Sequence, residues 1–396
     1  MKITAGRSDR FVPETHTPLW ISARKLEALL KTAPTPLFVY DEKSLVRAVQ
    51  ALFAAFSWEP GFLPRFPVRM DPDPPVLRIL RGAGCGALCR DGRELRLAAA
   101  CGFAGPAVAY APMRPDAAAE QLARELGAVF VLDGPQVLPA FAPEAAVLLL
   151  RQQGPLRISG RPVMGAPVSS AGMEEAELCR LAACLHAGGA RTLGLGMSLG
   201  DLCMDEGFYP AVFAQLVAAA ARLREKTGLT AKIFDLGGFG VSCRPDCPGP
   251  DLSACAEALR AQTCALPEAL QGVQLSMSPG RFLAAGGGVL VCRVVAVKPG
   301  PTAVLDVSAA QCLRLEKRGA YHAAAALRTA GRPPLLQQLT TLEQGAPFAR
   351  QVLPQLRAGD PVVIRMLGAD GRSFSCASER CPAYLLRADG TIEPIE

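Results

Sequence analysis

Between residues 66 and 277, short apolar runs alternate with segments whose apolar positions recur at helical spacing. This is the pattern of parallel βα units, in which strands buried on both faces read as nearly continuous apolar runs. Strands are predicted at 66–70, 86–89, 107–111, 128–133, 146–151, 192–197, 232–237 and 273–277, with helical patterns between most pairs, such as Glu174 to His186 and Pro210 to Lys226. Eight such strands predict an α/β fold with a (β/α)8 TIM barrel. Ahead of them, Pro36-Leu37-Phe38-Val39-Tyr40 reads as a strand closed by Asp41, a residue able to cap a helix over 42–56. After Arg281 the pattern changes to short β-like runs at Gly288–Lys298, Thr302–Val307, Pro361–Met366 and Ala383–Leu386, broken by Gly and Pro clusters. They predict a C-terminal β domain, barrel-like or sandwich-like, with residues 332–350 as a loop-rich insertion. The expected organisation is an N-terminal segment, 1–41, that joins the β domain, the barrel over 42–281, and the β domain over 282–396.

Composition adds few constraints. Half of the 396 residues are apolar, enough for one large domain and a smaller one. The net charge of +6 arises from scattered residues, with no basic run and no aromatic-basic interleaving, so no nucleic-acid partner is expected. The first residues lack an apolar stretch of the signal-peptide kind, and no apolar run approaches the roughly 18 residues of a membrane span. A cytoplasmic protein without a membrane partner is the expectation. The fourteen cysteines are irregularly spaced and read as reduced, buried small hydrophobes. Cys85/Cys89 and Cys243/Cys247 share a C-x3-C spacing, but only His16, His186 and His322 could add to a zinc site, and no metal site is expected.

The stretch richest in chemical meaning is Ile233-Phe234-Asp235-Leu236-Gly237-Gly238-Phe239-Gly240, an apolar strand running into a glycine-rich turn. Glycines there can adopt positive φ and admit a ligand oxygen close to the backbone, although a plain tight turn needs glycine for the same steric reason. The next strand ends in Ser278-Pro279-Gly280-Arg281. In a TIM barrel the loops after strands seven and eight are the usual place for a phosphate, which favours an anion cradle.

With these residues in view, the chain resembles the diaminopimelate/ornithine/arginine decarboxylases, alanine-racemase-like enzymes of pyridoxal phosphate, and among them diaminopimelate decarboxylases most. The shared landmarks are Thr35 to Asp41, Asp91-Gly92-Arg93-Glu94-Leu95, Phe234 to Gly240, Pro279-Gly280-Arg281 and Gly319-Ala320-Tyr321-His322, in the family's order along nearly the whole chain. The resemblance implies a barrel plus a β domain, a dimer with shared active sites, and decarboxylation of an amino acid at its α-carbon. It also implies cofactor contacts at Gly237, Gly238, Gly240, Gly280 and Arg281. Arg314 would hold a substrate's distal carboxylate, and Tyr321 would be a substrate contact. Each has a plainer reading too: a turn for the glycines, surface ion pairs for the arginines, packing for Tyr321 and His322.

The departures fall on the chemistry. The family's cofactor lysine, in a motif like A-V-K-A-N, corresponds to Arg69 in Pro67-Val68-Arg69-Met70-Asp71. A guanidinium stays protonated and delocalised, and is no nucleophile toward an aldehyde. No lysine occurs between Lys43 and Lys226, and Lys232 begins the seventh strand, at the wrong end of the barrel. The histidine-rich segment after strand six reads Gly194 to Asp201, with Ser198 at the position of the histidine that stacks on the ring and Asp201 where a serine near the phosphate would be. Ser278 replaces a glutamate. Leu342-Glu343-Gln344-Gly345-Ala346 lacks the cysteine that the family contributes across its dimer, and a late cofactor-contacting tyrosine falls near Arg372.

The expectation is therefore a decarboxylase-like pseudoenzyme with a binding or regulatory role, without covalent pyridoxal phosphate and with no intact catalytic residue. It would bind a small anionic or phosphorylated ligand and form a homodimer, or a heterodimer with an active decarboxylase. The alternative is a diaminopimelate-type decarboxylase of lysine biosynthesis working through a non-standard site, which would still need an electron sink for the carbanion. A metal-dependent hydrolase is a third reading.

Overall fold

The computed structural model describes residues 19–151, 157–158, 161–162, 171–197, 207–239, 241, 251–312, 315, 322–327, 329–344, 347–374 and 380–395. These fall into two compact units. One gathers the described residues up to Leu45 and those from Ala284 onward; the other runs from Val46 to Leu283.

The second unit contains a closed, parallel, eight-stranded barrel whose strands follow one another in chain order. They are Leu63–Pro67, Gly86–Cys89, Val108–Tyr110, Val129–Leu132, Ala145–Leu149, Thr192–Gly196, Ile233–Asp235 and Gln274–Met277. Alternation along each strand sends one set of side chains into the barrel and the other toward the helices. Ala109, Val129, Val131, Val147 and Ile233 meet inside. Phe234, one residue on from Ile233, turns outward and packs edge-on against Phe213 of helix Phe208–Thr227. The small bore leaves little room: a Cβ on Gly194 would lie 2.7 Å from the Ile233 Cβ.

The first strand begins three residues earlier than the pattern predicts, and Val68–Met70 forms a 3-10 turn instead of continuing it. Pro64, which cannot donate to a ladder, makes residues 61–64 read as a turn. Arg65 is only 3% exposed and hides the alternation. Val68 and Met70, both buried in the 3-10 turn, imitate it one step too late.

In the other unit, Leu37–Asp41 pairs antiparallel with Gly288–Lys298 and parallel with Ala383–Leu386, within a nine-stranded sheet. Leu37, Val39, Val289, Val291, Val363 and Leu386 share its core with Leu26 and Leu29 of helix Ala23–Leu29. Asp41 caps the helix Glu42–Ala55, its Oδ2 accepting from the Ser44 N–H (2.9 Å) and hydroxyl (2.5 Å).

Residues 332–350 are not a loop-rich insertion. Pro334–Thr340 and Ala349–Pro354 form an antiparallel pair, and the former also runs parallel to Thr302–Leu305. The strands escape a hydrophobic-pattern reading because two of their inward positions are glutamines. Gln337, 1% exposed, donates to the carbonyls of Leu353 (3.3 Å) and Pro354 (3.1 Å) and accepts from the Leu356 N–H (3.0 Å). Gln351, 2% exposed, donates to the Ala324 carbonyl at 2.9 Å. A buried amide whose donors and acceptors are met costs little, and it fixes register.

Among the described residues no helix is long and apolar enough to cross a membrane. No group of three or more His, Cys, Asp or Glu among them could hold a metal ion. None of the described cysteines is in a disulfide, and all but Cys184 and Cys264 are buried; burial pushes the Cys85 thiol up to about 12. Cys243 and Cys247 lie outside the described residues.

Candidate functional site

The ends of barrel strands one, two, seven and eight converge on a cavity of about 110 Å³. Its polar wall comes from Arg69, Arg90, Asp235, Gly237, Gly238 and Ser278, and its floor from Leu88, Ala111, Val131 and Leu149 of the barrel interior. Sites for cofactors and drug-sized ligands are larger, roughly 300–1,000 Å³.

Arg69 reaches this cavity from the 3-10 turn that follows strand one. Its Nη1 is buried and, among the described residues, has no hydrogen-bond partner. Arg90 comes from the end of strand two, where a capping arrangement fixes the chain. Asp91 caps helix Gly92–Ala100 by accepting from the Glu94 N–H (2.8 Å), and the Glu94 carboxylate turns back to accept from the Arg90 N–H (2.8 Å). The Arg90 side chain extends toward the Met113 sulfur, 3.5 Å from Nη1. Burial, and then the Arg69 cation facing it, push the Arg90 pKa down, while Glu94 and Asp133 act in the opposite sense. Burial also raises the Glu94 carboxyl, and Asp91 adds to the rise; the Arg90 amide and the two guanidinium groups moderate it.

Asp235 ends strand seven with its side chain directed into the barrel. Its Oδ1 accepts from the Gly237 N–H at 2.8 Å, closing a turn in which Gly237 takes φ +72°, a conformation glycine adopts without strain. Burial raises the Asp235 pKa; Arg65, the Gly237 amide and the Ser276 hydroxyl oppose the rise. Arg65 is enclosed in the same interior. Its Nη2 donates to the Pro106 carbonyl at 2.8 Å, and its Nε has no partner among the described residues. The loop beyond is tied down in two places. Ser278 N–H donates to the Gly237 carbonyl at 2.6 Å, and the Phe239 ring stacks on Tyr209 with centroids 4.8 Å apart.

Of the residues singled out from the sequence, Arg69, Gly237 and Gly238 meet in the cavity beside Ser278. Gly280 and Arg281 do not line it. A Cβ on Gly280 would lie 2.1 Å from the Met70 Sδ, so methionine fills that face. Ser198, Asp201, Gly240, Arg314 and Tyr321 lie outside the described residues. His322 is buried in the other unit with Nδ1 3.1 Å from the Arg365 carbonyl, and Arg372 is buried there with Nε donating to the Cys381 carbonyl at 3.1 Å. Lys232 precedes strand seven, its N–H donating to the Leu193 carbonyl, at the N-terminal end of the barrel. Sequence reading passed over Arg90 and Arg65. Arg90 was findable, because it follows directly on the apolar run 86–89, at the strand end where barrel sites are built.

Residues 42–285 match the family described as "Pyridoxal-dependent decarboxylase, pyridoxal binding domain". The chain is 29% identical to protein TabA of Pseudomonas amygdali pv. tabaci, covering 92% of this chain and 88% of that one. It is 28% identical to the diaminopimelate decarboxylase of Deinococcus radiodurans, with 90% of each covered. Among solved structures it is similar to diaminopimelate decarboxylase from Helicobacter pylori complexed with L-lysine, with a TM-score of 0.78 at 20% identity, covering 94% of this chain and 96% of the other. It is also similar to lysine/ornithine decarboxylase complexed with putrescine from Vibrio vulnificus, with a TM-score of 0.74 at 17% identity, covering 93% and 98%. At those identities the structural likeness speaks for the fold, while the family match reaches from the helix after Asp41 through the barrel's last strand. The chain belongs to the pyridoxal-dependent decarboxylase family.

Proposed function

We propose that this chain is a pseudoenzyme of its family: a decarboxylase scaffold that forms no Schiff base and works by binding a small anionic ligand. The observation that carries this reading is Arg69, which lines the cavity at the barrel mouth and which the sequence resemblance aligns with the family's lysine. Decarboxylation with pyridoxal phosphate needs an amine to hold the aldehyde, and the bound cofactor to serve as the electron sink for the α-carbanion. A guanidinium supplies no such nucleophile at any accessible pH. Cofactor and cavity also disagree in size. About 110 Å³ is well short of a ring with a phosphate arm, the Gly237 N–H is already committed to Asp235, and Met70 covers Gly280. The described residues of the cavity do not fit pyridoxal phosphate.

In this reading the protein is cytoplasmic and acts as a homodimer, or as a heterodimer with an active decarboxylase of the same cell. An inactive subunit could stabilise such a partner, or withhold the residue that shared sites take from across the interface. Absorbance tests the chemical half of the proposal. Purified protein titrated with pyridoxal phosphate is expected to show the spectrum of free aldehyde only; a saturable internal-aldimine band at one equivalent would overturn it.

A further inference from the structure

The cavity is lined by two guanidinium groups, Arg69 and Arg90, and the Nη1 of Arg69 is buried. We propose that Arg69 and Arg90 form a carboxylate site that holds a small free monocarboxylic acid, its head group between the two guanidinium groups and its short apolar tail on the floor of the barrel. The inference rests on the preceding reading that Arg69 no longer serves cofactor chemistry, and it names the ligand class for that same site.

Three features select this ligand. The first is the unmet donor. A buried N–H without a partner is destabilising and rare, and Arg69 Nη1 is such a group, in the wall of a cavity that also presents Arg90. Two like charges sharing one enclosure repel, and an anion between them removes the repulsion and supplies the missing acceptor. Planar guanidinium groups match the two oxygens of a carboxylate.

The second feature is charge balance. Among the described residues, the charged groups lining the cavity are Arg69, Arg90 and Asp235. Asp235 is matched by Arg65 and by the Gly237 amide. Glu94, Asp133 and Asp91 stand behind, with Glu94 held by the Arg90 N–H, Asp91 by the Glu94 N–H and Asp133 3.4 Å from Gln136 Nε2. They offset part of the cationic charge and leave a place for one negative charge more readily than for two. A monoanionic carboxylate is favoured over phosphate dianion on that ground.

The third feature is the lining. Leu88, Ala111, Val131 and Leu149 make an apolar floor that an inorganic anion would leave uncovered. At about 110 Å³ the cavity is well below the roughly 300–1,000 Å³ of drug-sized sites, which suits an acid of few carbons. The backbone donors of a phosphate cradle are largely spent, as the Gly237 amide bonds Asp235 and Gly280 lies under Met70.

Calorimetric titration of the full chain with propionate, propionamide and inorganic phosphate tests the proposal. Propionate is expected to bind at one equivalent, with propionamide and phosphate at least tenfold weaker. Arg69→Gln and Arg90→Gln should each weaken propionate at least tenfold. Glu94→Gln keeps an oxygen to accept from the Arg90 N–H but loses a competing negative charge, so it should tighten propionate several-fold, whereas structural damage would weaken it. Equal binding of propionate and propionamide, indifference to both arginine variants, or tighter binding of phosphate would overturn the proposal. The outcome is separable from the Schiff-base question, because a propionate failure in a protein that forms no aldimine sinks this site alone.

Discussion

The Met70 Sδ occupies the space into which a Cβ on residue 280 would project, 2.1 Å from that position, and the Pro67 Cδ closes the same space at 3.0 Å. A glycine that reads in sequence as part of an anion cradle is a packing partner for the turn carrying Arg69. Gly280→Ala should therefore lower stability by about 1–3 kcal/mol through overpacking. Combining it with Met70→Ala should cost clearly less than the sum of the two single changes, since one vacates the space the other needs. Urea unfolding measures both; an alanine variant as stable as the wild type would mean that methionine yields freely.

Arg65 and Asp235 are opposite charges inside one barrel, and removing one partner should hurt more than removing both. Arg65→Leu is expected to cost about 3–5 kcal/mol by leaving a buried carboxylate uncompensated. Arg65→Leu with Asp235→Leu should recover much of that loss. Denaturant titrations of the two single variants and the double variant would reveal the coupling, and strict additivity would contradict it.

Glu94 gives a dependence on pH. Burial raises its folded pKa above the ordinary 4.5, so the folded state holds the proton where the unfolded state has released it. Stability contributed by this group is full below about pH 4.5. It then falls as pH rises through the folded pKa. Glu94→Gln, which cannot ionise, should match the wild type near pH 4 and gain on it toward pH 7. Unfolding curves at the two values check the sign, and a variant that loses ground as pH rises would show that the arginines dominate burial.

Much of the fold is legible from apolar periodicity, because buried parallel strands have a strong signature and all eight of them carry it in some form. The first is displaced because its prolines and its enclosed arginine speak against a strand, and only the interior of a closed barrel, where Arg65 lies in the field of Asp235, explains an arginine there. The hairpin at Pro334–Pro354 is hidden for a related reason, since Gln337 and Gln351 find their partners on segments distant in sequence. At the site, Arg69 is visible as a departure from a motif. Arg90 is marked only by its place after the apolar run 86–89; the charge near it, like the commitment of the Gly237 amide to Asp235, depends on geometry.

Oligomeric state bears on the regulatory part of the reading. Sedimentation at micromolar concentration is expected to show a dimer. Mixing with an active decarboxylase of the same cell should change that enzyme's rate toward a plateau set by the fraction of mixed dimers. A monomer that leaves the rate untouched would remove the case for a regulatory partner.

Restoring the lysine should not restore the enzyme. Arg69→Lys supplies an amine, but the cavity stays near its present size with Met70 over Gly280 and the Gly237 amide engaged. Assays of carbon dioxide release from diaminopimelate, ornithine, arginine and lysine should give no turnover above background. Substantial activity in this single variant would show that the remaining site is far more complete than its geometry implies.

Schiff-base chemistry is expected to be absent at Arg69, and borohydride trapping reads that absence without relying on turnover. Full-length protein incubated with excess pyridoxal phosphate, reduced with borohydride and digested, should yield no stoichiometric pyridoxyl adduct on any residue by mass spectrometry. A single lysine carrying the adduct at near one equivalent would contradict the account.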